Sequence, residues 1–208
     1  TAVGGVDGVI IPAGINTNQT LYMVRHAEAH PTNYYGDGNV VGAGQWRALA
    51  LPAALAGKIS PNQVYSIDPA QVSQGSFSAS GNYYWSNVAP SLTVHPYAIA
   101  NNLPYRLVTE FLITDANSPQ SAAEFFFRGG KFTNQTVLLG RQFTQAPQTI
   151  SALLASYNYT GTPVPGWSPT DYDSIWTVRI DAAGNLTVDN ALCEGIDSAS
   201  LPAAAPVF

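Results

Sequence analysis

At 208 residues the chain is long enough for one well-buried domain and does not require a second. An apolar share of 46% with 11% aromatic residues excludes disorder, and a charged share of 10% leaves the surface to Asn, Gln, Ser, Thr and Tyr. Eight Lys plus Arg against thirteen Asp plus Glu, a net charge of −5, give no electrostatic footprint for nucleic acid or an anionic membrane.

The first apolar run, Thr20 to Val24, predicts a strand, and Gly44 to Leu55 predicts a helix because Trp46, Leu49, Ala50, Ala53 and Ala54 recur at helical spacing. Pro52 should begin a new turn or bend that helix. Gln63 to Ile67 predicts a second strand, and the Ser, Gly and Asn-rich stretch from Asp68 to Asn87 a long loop. His95-Pro96 falls in a segment that reads as loop. Leu107 to Ile113 is the third apolar run. Ser118-Pro119 opens a helix, with a serine cap and proline at its first position, that Gly129-Gly130 closes. Thr136 to Leu139 reads as a strand buried on both faces and Pro147 to Tyr157 as a helix. Ser174 to Ile180 and Leu186 to Val188 flank Ala182-Ala183-Gly184-Asn185 as a terminal hairpin.

Strands alternating with helices imply a single domain of α/β class. It is a three-layer sandwich, a mostly parallel sheet with helices on both faces and an antiparallel edge. Ligands in such sheets sit at the carboxyl ends of strands. No apolar stretch reaches the roughly 20 residues that cross a bilayer, and no basic region precedes one. The small-residue start TAVGGVDG and the low lysine count lead to the expectation of an exported, already processed protein, secreted or periplasmic and bacterial by preference. Cys193 is the single cysteine, which precludes an internal disulfide. Asn18, Asn134, Asn158 and Asn185 each head an N-x-Thr sequon; a eukaryotic secretory pathway could glycosylate them, and chance in an Asn- and Thr-rich chain would also produce them.

Arg25 and His26 fall directly after the first strand, in Leu21-Tyr22-Met23-Val24-Arg25-His26-Ala27-Glu28. This run resembles the signature of the histidine phosphatases, the phosphoglycerate mutase-like superfamily, where an apolar strand ends in Arg-His-Gly or Arg-His-Ala. Gly44-Gln45-Trp46-Arg47-Ala48 before Leu51 resembles the family's next helix, and Asn134 to Leu139 the strand that delivers a second catalytic histidine. The resemblance implies that His26 attacks a phosphoryl group while Arg25 pairs with its oxygens, chemistry suited to an imidazole lone pair and a planar guanidinium.

The family's second arginine and second histidine have no counterpart here. Ala89 or Val72, depending on register, stands for the arginine, and Phe143, in Arg141-Gln142-Phe143-Thr144, for the histidine. Impaired or altered phosphomonoesterase activity follows, with full activity or a glycan or other neutral ligand as alternatives. Arg141 either replaces the missing cation or caps a strand end; with Gln142 and His30 it completes the candidate substrate-binding set. Glu28 joins His26 and Arg25 as a candidate catalytic residue, either as proton donor or as a group that orients Arg25 or caps a helix. Tyr34, Tyr35, Tyr83, Tyr84 and Trp85 either pin loops or face sugars. The ligand expected is a small phosphoester or anion, with neither cofactor nor metal, since three scattered histidines lack ligand spacing. Asp171 and Asp173 read as turn and edge residues.

Overall fold

A computed structural model of the protein describes residues 4–6, 10–30, 38–77 and 81–207. Tyr34 and Tyr35 lie outside the described residues. The described residues form nine strands, β1 (Gly4–Gly5), β2 (Gln19–Arg25), β3 (Gln63–Ile67), β4 (Val72–Phe77), β5 (Gly81–Ser86), β6 (Tyr105–Val108), β7 (Thr136–Arg141), β8 (Ser174–Ile180) and β9 (Leu186–Cys193). Four α-helices accompany them among the described residues, α1 (Gly42–Leu55), α2 (Val88–Ala100), α3 (Ser118–Phe127) and α4 (Gln145–Ser156).

One seven-stranded sheet runs β1-β9-β8-β2-β7-β3-β6, with β2, β7, β3 and β6 mutually parallel and β8, β9 and β1 antiparallel beside them. Alternation decides which way each side chain goes. Leu21, Met23, Val137 and Leu139 enter the larger core with Phe126, Phe127 and Ile150 of α3 and α4. Tyr22, Val24, Leu138 and Val64 enter the smaller one with Leu51 and Leu55 of α1 and Val94 and Tyr97 of α2. The result is helices on both faces of an α/β sheet, and central strands that carry few polar residues because both their faces are covered.

The segments read as loop differ from expectation. Residues 68–87 contain the β4–β5 hairpin, in register from Val72 opposite Ser86 to Phe77 opposite Gly81. Gly75 makes it possible: a Cβ there would lie 2.2 Å from the Tyr83 ring, which instead covers the bare backbone. His95 lies in α2, where Ala89, Pro90, Thr93, Val94, Tyr97 and Ala98 form the buried stripe. Pro90 is tolerated because the first helical N–H groups have no partner in any case, whereas Pro96 interrupts the ladder inside the helix. Ser118 is the first residue of α3 rather than its cap, and Asn117 at the cap position makes no side-chain bond.

β7 and α2 meet at Gly140, where an added Cβ would approach Pro90 O to 2.7 Å and Val94 Cγ1 to 2.9 Å. Gly140→Val therefore has to push the helix off the strand. Overpacking of this kind costs on the order of 1–3 kcal/mol, and the expected outcome is a lower midpoint with an unchanged slope in urea denaturation.

Candidate active site

β2 and β7 are adjacent and parallel, with Arg25 opposite Arg141, so both strands end at the same level of the sheet. A hollow of about 410 Å³ opens there, walled by Arg25, His26, Ala89, Gln142, Phe143 and Tyr172. His30, Gly38 and Trp85 also border it. A larger groove of about 640 Å³, along α4, is lined by no titratable side chain.

The His26 main chain is fixed by its N–H donating to Arg141 O at 2.9 Å, and the next N–H, of Ala27, donates to Thr93 Oγ1 at 2.7 Å. His26 Nδ1 lies 2.8 Å from Ala27 O. A carbonyl only accepts, so the proton sits on Nδ1 and Nε2 keeps its lone pair. Burial lowers the imidazole pKa to about 4, with the Arg25 charge adding to the effect and the Ala27 bond opposing it, so the ring is neutral at neutral pH.

Arg25 is held as a plate between two rings, Tyr172 at 3.7 Å and Phe143 at 4.4 Å from its guanidinium carbon. Its Nη1 donates to the carbonyls of Ser168, Pro169 and Asp171 at 3.4, 2.9 and 3.2 Å, while Nε is buried without a partner among the described residues. Burial also lowers its pKa from the ordinary arginine value, against the pull of Tyr172 and Asp171.

The structure brings together Arg25, His26, His30 and Gln142 of the expected set and sends two residues elsewhere. Arg141 does not line the hollow; its side chain is buried, donates through Nη2 to Thr149 Oγ1 at 2.9 Å, and leaves Nε and Nη1 unpartnered. Burial alone brings its pKa down to about 10. As the last residue of β7 it turns its side chain toward α4, where its guanidinium carbon lies 5.7 Å from the centre of the Phe111 ring. Glu28 does not line the hollow or touch Arg25 either. Its carboxylate accepts from Arg47 Nε at 3.0 Å and from Ser198 Oγ at 2.7 Å. Burial would raise the Glu28 pKa, but these two bonds, together with a backbone bond and the Arg47 charge, outweigh it and hold the group below the usual carboxylate range.

Of the two positions expected for the second arginine, Ala89 lines the hollow and Val72 stands on the hairpin away from it. His95 stacks on Tyr105 at 4.5 Å, in α2. Asp171 and Asp173 organise turns, accepting from Ser174 N and from Gly195 and Ile196 N. Sequence reasoning missed Tyr172 and the carbonyls of Ser168 and Pro169, which come from an irregular segment with no periodicity to mark it. Trp85 was visible as part of an aromatic cluster. Among the described residues no group of three or more His, Cys, Asp or Glu gathers where a metal could sit. No described helix is long and apolar enough to cross a membrane.

Arg47, in sequence no more than part of a helix motif, is a buried hub. Besides Glu28 it donates to Glu194 Oε2 at 2.6 Å, Ile196 O at 3.0 Å, Ser198 Oγ at 2.9 Å and Tyr172 O at 3.4 Å. Burial pushes the Glu194 carboxyl up to about 8 despite Arg47, which has Glu28 to neutralise as well.

No protein-family model matches the chain, and no curated protein matches it in sequence. Solved structures do resemble it. The protein histidine phosphatase SixA complexed with tungstate superposes with a TM-score of 0.51 at 14% identity, over 84% of this chain and 97% of that one. The native mycobacterial glucosyl-3-phosphoglycerate phosphatase gives 0.51 at 16% identity over 90% and 99%, and its complex with inorganic phosphate 0.51 at 15% over 85% and 99%. The fold is that of the histidine phosphatases.

Two measurements test the local physics. Arg47→Leu leaves the Glu28 carboxylate, the buried Glu194 carboxyl and three further acceptors without their donor, so it is expected to cost about 3–5 kcal/mol in denaturant unfolding; a loss below about 1 kcal/mol would show that the hub is dispensable. For His26, the unfolded ring takes up a proton below its ordinary value of 6.5 while the folded ring waits until about 4. Stability is thus complete above pH 6.5 and falls through that window on acidification, by up to about 3 kcal/mol relative to His26→Gln measured in parallel.

Proposed function

We propose that the chain is an exported member of the histidine phosphatase superfamily that takes a small phosphoester or related anion at Arg25 and His26, with impaired or altered phosphomonoesterase activity. The observation that carries this reading is a neutral imidazole with Nε2 unprotonated, beside a fixed guanidinium, in one hollow at the end of β2. Phosphoryl transfer needs a lone pair aimed at phosphorus and a cation on the oxygens. That SixA is complexed with tungstate and the mycobacterial phosphatase with inorganic phosphate, both on this fold, supports a tetrahedral oxyanion as the ligand.

In the forward step Nε2 of His26 bonds to phosphorus as the bond to the ester oxygen breaks. The departing alcohol then needs a proton, and water finally releases phosphate from the imidazole. Impairment is supported by the surroundings. Of the eight Lys and Arg, only Arg25 lines the hollow. Lys58, Lys131, Arg128 and Arg179 engage Glu194 O, Glu110, Glu124 and Asp189, and Arg106 is exposed on β6. Phe143, 6.1 Å from the His26 ring, cannot donate a proton. A lost donor of this kind typically costs about a hundred- to a thousandfold in rate. Trp85, stacked on Tyr83 at 5.5 Å, gives the alcohol half of the ester a flat neutral wall. Export accords with the sparsely charged surface.

Hydrolysis of an aryl phosphate and calorimetry with inorganic phosphate test the proposal. Wild type is expected to bind phosphate and turn over slowly, His26→Ala to lose turnover and the acid-labile phosphohistidine adduct, and Phe143→His to gain about a hundredfold in kcat. A wild type that neither binds phosphate nor differs from His26→Ala would refute it, and a wild type with kcat in the ordinary range of about 1–1000 per second would establish the fully active alternative.

A further inference from the structure

The four N-x-Thr sequons, Asn18-Gln19-Thr20, Asn134-Gln135-Thr136, Asn158-Tyr159-Thr160 and Asn185-Leu186-Thr187, are scattered along the sequence but converge in space. Asn18 and Asn134 precede β2 and β7, whose Thr20 and Thr136 are register partners, and Asn18 Nδ2 donates to Asn134 Oδ1 at 3.1 Å. The Asn18 N–H reaches Asp181 O at 3.2 Å in the β8–β9 turn, where Asn185 Nδ2 donates to Asp181 Oδ2 at 2.9 Å. Asn158 ends the turn after α4, and its neighbour Tyr157 donates to Gly184 O of that same turn at 2.7 Å. A continuous chain of hydrogen bonds and neighbouring residues therefore joins all four to one pole of the molecule.

All four asparagines are exposed, and Asn18, Asn134 and Asn158 have φ of 50, 60 and 54°, the left-handed region that asparagine tolerates in turns. The hollow is at the other pole. β2 begins at Asn18's side and ends at Arg25, about 20 Å away at roughly 3.3 Å per residue, and α4 starts beside Thr144 at the hollow and runs down to Asn158. Asn82 and Asn87, on and beside the hairpin that reaches the hollow, have Tyr84 and Ala89 two residues on and are not sequons.

We propose that this pole is N-glycosylated at Asn18, Asn134, Asn158 and Asn185, and that the protein matures in a eukaryotic secretory lumen rather than a bacterial periplasm. In the reaction each side-chain amide nitrogen bonds to the anomeric carbon of an oligosaccharyl diphosphate. The carbon–oxygen bond to the diphosphate breaks and the amide gives up one proton. One amide hydrogen remains on each nitrogen. The sugars supply the hydration that a 10% charged surface lacks and stand clear of the ligand's path.

The experiment is peptide-N-glycosidase treatment, in heavy-oxygen water, of the protein purified from its native source, read by tandem mass spectrometry. Label as aspartate at these asparagines, and at no other, is the expected result; absence of label at all four overturns the modification. Reactivity of His30 toward diethyl pyrocarbonate, measured before and after deglycosylation, tests the placement independently of any phosphatase activity. It is expected to stay within about twofold, and a rise beyond about fivefold on removing the sugars overturns the separation of the two poles.

Discussion

The buried Arg47 guanidinium is what the irregular parts of this molecule depend on. One side chain on α1 gathers Glu28 from the loop after β2, Tyr172 O from the segment before β8, and Glu194, Ile196 and Ser198 from the chain after β9. Apart from the bridge of Ala29 with Val40 and the Glu194 N–H bond to Asp173 O, those segments lie outside the sheet ladders. Every nitrogen of the Arg47 guanidinium finds an acceptor, the condition under which a buried charge is tolerated. The hub reaches the candidate site through Tyr172: its carbonyl accepts from Arg47 while its ring lies against Arg25. The glutamate two residues after the Arg-His pair thus orients the chain around the hollow rather than entering it.

A second buried arginine has no such company. Arg141 has one side-chain partner, Thr149, and no carboxylate within salt-bridge distance among the described residues, so its charge is balanced only from farther off. It stands one strand over from Arg25 and on the same side of the sheet, because paired residues in parallel strands point the same way. The neutral state of His26 has other causes, since burial and the neighbouring Arg25 charge both disfavour imidazolium.

The strands of the sheet were legible because a strand covered on both faces must be apolar throughout, and Leu21 to Val24 and Val137 to Leu139 are. Arg25, His26 and Ala89 were legible through the order of motifs around them. What escaped was whatever depends on contacts far apart in sequence. The β4–β5 hairpin is made of Ser, Gly, Asn and aromatic residues that read as loop until Tyr83 is seen covering Gly75, and α2 carries two prolines whose cost depends on where the helix begins. Glu28 and Arg141 were placed by adjacency to the motif, but their side chains followed partners 19 and 8 residues away.

Phe143 gives the hollow an aromatic wall where the proposed chemistry would use a proton donor. A histidine at that position would face His26 across the hollow and offer a proton; a phenyl ring offers a face. That face lies against the Arg25 guanidinium, whose other side is covered by Tyr172, so the cation is clamped more firmly than one-sided packing would allow. The clamp fixes the orientation of the guanidinium, which under the proposed function would favour binding an oxyanion but would move no proton in the transition state. Interactions that hold ground state and transition state equally lower a dissociation constant without raising kcat. Under the proposed function, an aromatic wall where a proton donor could stand would move the balance of this hollow from turnover toward retention of its ligand.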